Sequence, residues 1–101
     1  MIWRVGGRPA YKEATRVVKI RNRLGMHARA AGKFRNLAAQ YQCQIKVIRG
    51  RMEADAKSIM GVMAVGASRG TELLLKAYGE DAEQALQALA DLVESRFGED
   101  E

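Results

Sequence analysis

Cysteine, histidine and proline each occur once in this 101-residue chain. One cysteine excludes an internal disulfide framework, and one histidine with one distant cysteine gives no zinc-ligand set. The lone thiol, Cys43, sits in the alternating run CQIKVI and reads as a reduced core residue, with no neighbouring histidine to activate it. No serine or carboxylate stands at a spacing that argues a hydrolytic triad. Gly61, Gly66 and Gly70 are too irregularly spaced for a nucleotide-binding loop, so neither a metal nor a cofactor is expected. No apolar run approaches membrane-span length, and MIWRVGGRPAYKEA at the N-terminus lacks the apolar block of a signal peptide. The expected location is therefore cytoplasmic, with no membrane partner. Aromatic residues make up only 6% of the chain and are not interleaved with its basic run, which weakens a reading as a nucleic-acid-binding module.

What the chain does contain is apolar residues enough for one modest core, 48% of the total, in a length suited to one domain. Its formal charge of +5 is unevenly spread. Arg4, Arg8, Lys12, Arg16, Lys19, Arg21 and Arg23 crowd the first quarter, while Glu99, Asp100 and Glu101 close the sequence. Such a balance suits nucleic acid, phosphorylated ligands or an acidic protein partner, and charge alone does not choose among them.

Periodicity divides the chain into a basic N-terminal extension (1–14), a domain (15–98) and an acidic tail (99–101). The extension holds Gly6, Gly7 and Pro9 and shows no sustained period, although Ile2, Trp3 and Val5 offer apolar groups for docking. From Thr15, RVVKIR alternates and predicts a half-buried strand with Val18 and Ile20 inward. After Gly25 the period lengthens: Ala30 or Ala31, Phe34, Leu37 with Ala38, and Tyr41 mark an amphipathic helix. Cys43, Ile45 and Val47 then alternate as a second strand, and a glycine turn at Arg49–Arg51 leads to a short third strand near Met52–Ala54. Ser58 is placed to cap a short apolar helix. TELLLKAY predicts the fourth strand, and Asp81 onward predicts the longest helix, with Ala82, Ala85, Leu86, Leu89, Leu92 and Val93 on one stripe. The order is βαββαβα. Strands that alternate this cleanly have one wet face, so the fold class is α+β: an open-faced two-layer sandwich, its four-stranded sheet mainly antiparallel and its three helices on one face.

The single histidine, His27, falls where loop becomes helix in LGMHARAAGKF. The backbone N–H groups of Ala28, Arg29 and Ala30 then belong to a first turn with no intrahelical partners, and the helix dipole is positive there. The Arg29 guanidinium adds a planar fork suited to phosphate oxygens. This setting suits an imidazole that accepts a phosphoryl group through a free ring nitrogen while the incoming charge is cradled. A histidine at a helix start also serves as an ordinary polar cap, and composition and spacing do not separate the two roles.

LGMHARAA resembles the active-site segment of the HPr family, the histidine-containing phosphocarriers of the bacterial phosphoenolpyruvate-dependent phosphotransferase system. DAKSIMGVMAVGASRG resembles the family's second signature, around its regulatory serine. Both occur in the family's order and separation, and the resemblance covers about Thr15 to Gly98. It implies that His27 takes a phosphoryl group on Nδ1 from phosphorylated Enzyme I and passes it to an EIIA-type protein, with Arg29 steadying the phosphate. The chain would then be a relay, not an enzyme with a substrate of its own. Ser58 corresponds to the serine modified by HPr kinase/phosphorylase, and it also fits a plain helix cap. Ile59, Met60 and Met63 resemble the family's apolar contact patch. One departure is Ala30, where most members have proline; alanine keeps the helix with a less rigid start, and phosphotransfer is expected to survive with an altered rate or phosphohistidine lifetime. A neighbouring expectation is an HPr-like regulator of nitrogen or carbon status that serves no sugar permease; a more distant one is the basic nucleic-acid-binding module.

Overall fold

The computed structural model describes residues 12–101; most of the basic extension, including Ile2, Trp3 and Val5, lies outside the described residues. Four strands, β1 (Glu13–Lys19), β2 (Gln44–Arg49), β3 (Met52–Asp55) and β4 (Glu72–Tyr78), alternate with three helices, α1 (Ala28–Ala38), α2 (Ile59–Val65) and α3 (Ala82–Glu94). A short 3-10 turn, Arg96–Gly98, follows. The strands form one sheet in the order β1-β4-β2-β3, and every neighbouring pair is antiparallel. The βαββαβα sandwich read from periodicity is the fold observed.

Alternation decides which face is buried. In β4, Leu73, Leu75 and Ala77 are buried while Leu74, Lys76 and Tyr78 are only partly so. In β1, Val18 is buried beside an exposed Val17. The inward side chains meet Ala30, Ala31, Phe34 and Ala38 of α1, Val62 and Val65 of α2, and the stripe of α3. Full burial of a Leu, Ile, Val or Phe side chain contributes roughly 1.5–3 kcal/mol.

Boundaries shift for local reasons. β1 starts at Glu13, ahead of the predicted Thr15, because Glu13 and Ala14 find partners in Tyr78 and Ala77 of β4. Ile20 lies just past the strand, buried, its N–H donating to the Thr71 carbonyl at 2.9 Å. α1 closes at Ala38, so Tyr41 falls beyond the helix and packs at the edge of the core. Leu37 and Leu92, assigned to apolar stripes, are only partly buried.

Cys43 is buried just before β2. Its N–H donates to Oδ1 of Asp81 at 3.0 Å, and the Gln42 N–H donates to Oδ2 at 2.8 Å. Asp81 therefore makes no side-chain cap bond to α3 and instead ties the start of α3 to the start of β2. Burial, reinforced by the Asp81 carboxylate, pushes the Cys43 thiol up to about 11, which fits an inert core residue.

Candidate functional site

The loop Ile20–Met26 delivers His27 to α1, and one glycine shapes it. Gly25 has φ of +69°, and a Cβ there would lie 2.4 Å from the Ala67 carbonyl oxygen. Only glycine allows the loop to press this closely on the chain after α2, where the Met26 N–H donates to the same carbonyl at 2.8 Å. Met26 is buried, which anchors the residue directly before the histidine.

His27 is the N-cap of α1, with φ −77° and ψ 180°. Its Nδ1 accepts a hydrogen bond from the Arg29 N–H at 3.2 Å. Nδ1 is therefore the unprotonated nitrogen, and Nε2, which carries the proton, donates to Oε2 of Glu99 at 2.5 Å. The ring is 28% exposed, open enough for attack and closed enough to be held. The Ala31 N–H donates to the His27 carbonyl at 2.8 Å and begins the helical ladder. The N–H groups of Ala28 and Ala30 thus lack intrahelical acceptors, as at any helix start. The Ala30 side chain is fully buried, while Arg29 is exposed and its guanidinium makes no hydrogen bond or ion pair among the described residues.

Around the ring lies an open depression of about 580 Å³, lined by Arg23, Leu24, Arg29 and Lys33 together with the acidic end of the chain. Lys33 Nζ donates to the Phe97 carbonyl at 2.7 Å, and Arg23 pairs with Glu101 at 2.8 Å. Desolvation works against the charge on Glu99, but hydrogen bonds from Asn22 and His27, with the positive field of Lys33, outweigh it. The carboxyl is held below the usual carboxylate range.

The predicted site residues divide into two groups. His27, Arg29 and the first-turn amides converge at the head of α1. Ser58 is the N-cap of α2, its Oγ accepting from the Gly61 N–H at 3.0 Å. Ile59, Met60 and Met63 are exposed on α2, Met60 to 82%. Sequence reasoning missed Glu99, Asn22, Lys33, Arg23 and Leu24. A glutamate 72 positions from the histidine carries no periodic or motif signal linking the two. A buried asparagine in a loop is likewise indistinguishable, in sequence, from a turn former. Among the described residues no cluster of side chains suits a metal ion, and no helix is long and apolar enough to cross a membrane.

The open-faced sandwich presents its one histidine at a helix start, in a depression that basic side chains line. Residues 14–95 match the family described as the PTS HPr component phosphorylation site, and the chain belongs to that family. It is similar to the phosphocarrier protein HPr of Pseudomonas aeruginosa, 47% identical over 85 residues that cover 83% of this chain and 94% of that one. It is also similar to the phosphocarrier protein NPr of Shewanella violacea, 38% identical over 84 residues covering 83% and 92% of the two chains. The crystal structure of HPr from Thermoanaerobacter tengcongensis superimposes with a TM-score of 0.81 at 44% identity, covering 89% of this chain and 99% of that one. The fold and the family agree: this is an HPr-type phosphocarrier of the phosphotransferase system.

Proposed function

We propose that His27 accepts a phosphoryl group on Nδ1 from phosphorylated Enzyme I and donates it to an EIIA-type protein. The observation that carries this reading is the orientation of the ring: Nδ1 is unprotonated and faces the start of α1, its lone pair engaged by the Arg29 N–H, while Nε2 is occupied by Glu99. Once Nδ1 bonds phosphorus it no longer accepts from Arg29, and that N–H turns to the phosphoryl oxygens beside those of Ala28 and Ala30. The Arg29 guanidinium, without a partner among the described residues, supplies a charged fork to the same oxygens. Because these donors are already oriented, little reorganisation accompanies transfer.

Ser58 is a regulatory phosphosite for an HPr kinase/phosphorylase on this reading, and Ile59, Met60 and Met63 form the docking patch. A phosphate on the α2 N-cap would sit where the helix tolerates negative charge, so its effect falls on docking of acidic partners beside the patch. Similarity to an NPr protein favours a second reading, the regulatory nitrogen branch with no sugar permease. The two differ in which EIIA removes the phosphoryl group.

The test is incubation with phosphoenolpyruvate and Enzyme I, followed by intact-mass analysis. One acid-labile phosphoryl group is expected on the wild type and none on His27→Ala. Subsequent transfer to a sugar-branch or a nitrogen-branch EIIA distinguishes the two readings. Absence of labelling with a cognate Enzyme I would reject both.

A further inference from the structure

The C-terminal residues converge on His27 through an unusual backbone. Arg96 and Phe97 adopt φ of 60° and 55°, left-handed values that side-chain-bearing residues seldom take, and Gly98 follows at 79°. Phe97 is 1% exposed and its carbonyl is held by Lys33. This buried anchor and tight turn aim Glu99 back at the histidine, whereas an extended continuation of α3 would carry it away.

The carboxylate is fixed from behind as well. Asn22 is fully buried, and its Nδ2 donates to Oε1 of Glu99 at 3.0 Å and to the Gly25 carbonyl at 2.8 Å. Its Oδ1 is buried with no hydrogen-bond partner among the described residues. Turning the amide over would set that oxygen against two acceptors, so the orientation is forced by the need to donate to both. Beyond Glu99, Arg23 holds Glu101 through its backbone N–H and its guanidinium, both at 2.8 Å. The result is a continuous chain of contacts, Asn22 to Glu99 to His27 to the first turn of α1.

We propose that Glu99, oriented by Asn22, is a positioning residue for phosphoryl transfer: it retains the ring proton on Nε2 and neutralises the charge that the ring acquires when Nδ1 is phosphorylated. The inference rests on the phosphohistidine reading above. In uptake, the Nδ1 lone pair forms the new N–P bond while the P–N bond of the donor phosphohistidine breaks, its electron pair returning to the donor ring. His27 keeps its Nε2 proton throughout, so the neutral ring becomes a phosphorylated imidazolium facing the Glu99 carboxylate. Donation reverses the flow, and the ring leaves as a neutral imidazole instead of an anion. Arg23, Arg29 and Lys33 line the same depression, and Asp100 and Glu101 stand on its acidic rim. Glu99 is the acidic group in hydrogen-bond contact with the ring.

The experiment uses the full chain as wild type, Glu99→Gln, Glu99→Ala and Glu94→Gln. The last removes the same charge from a surface pair with Arg21, and thermal melting checks that each variant is folded. Each protein is phosphorylated with Enzyme I, and phosphohistidine hydrolysis is followed against pH. Protonated phosphohistidine is the labile form, so Glu99→Gln should displace the fall in hydrolysis toward lower pH by about one unit, with phosphoryl uptake slowed roughly tenfold. Glu94→Gln should match the wild type. Superimposable profiles for Glu99→Gln and wild type would overturn the proposal. Nitrogen-15 NMR of the unphosphorylated ring supplies a readout independent of Enzyme I: an Nε2 proton protected from solvent exchange in the wild type and exchanging rapidly in Glu99→Ala. A wild type that Enzyme I cannot label would reject the phosphohistidine reading and the transfer role together, while a ring proton equally protected in Glu99→Ala would reject the contact alone.

Discussion

At the scale of single residues, the site depends on side chains whose worth is set by their neighbours. Gly25 touches no phosphate, yet its missing Cβ lets the histidine loop close on Ala67. Gly25→Ala combines a left-handed backbone with a Cβ driven into a carbonyl oxygen. The expected cost is roughly 2–4 kcal/mol, read as a lowered urea midpoint. Unchanged stability would mean that the loop relaxes freely and does not hold His27. His27 itself was legible in the sequence because it is the single imidazole at a change of period. Glu99 was not, because its contact with His27 exists only after the end of the chain has folded back.

Among the elements, the short ones depend most on their caps. α2 has seven residues, too few to be stable on propensity, and its N-cap bond from the Gly61 N–H to Ser58 Oγ satisfies one free donor of its first turn. Ser58→Ala should cost about 1 kcal/mol, measurable by denaturant unfolding, and a loss near zero would show that packing of Val62 and Val65 alone holds the helix. The element sequence was readable throughout, since alternation and the three- to four-residue period are local properties of the chain. Element ends were less so. The start of β1 follows from pairing with β4, and the free end of α1 places Tyr41 outside the helix because the chain turns there toward β2. Such ends are decided by partners distant in sequence.

For the whole molecule, two acidic groups couple distant parts of the chain. Asp81 joins α3 to the start of β2, and the amide bonds it accepts, first from Gln42, hold its carboxyl below the ordinary range. Glu99 joins the C-terminus to the site and is depressed likewise. Groups whose folded values lie below their unfolded ones bind fewer protons when folded. Their stabilisation is complete above the unfolded carboxylate value and is lost as pH falls through the folded value. Urea midpoints should therefore stay level from neutrality to about pH 5 and decline below roughly pH 4, with Asp81→Asn reducing the decline. A flat profile down to pH 3 would exclude both carboxylates as acid-sensitive ties.

By itself the sequence determined the order of elements, the inward residues of each strand, the sandwich class and the histidine at the head of α1, because each is written in the spacing of neighbouring residues. Tertiary structure alone decided that the acidic end of the chain meets the histidine, that a buried asparagine aims the carboxylate, and that Nδ1 is the unprotonated nitrogen. Those outcomes join residues from opposite ends of the chain, and local periodicity carries no information about which distant groups a closed core brings within hydrogen-bond reach.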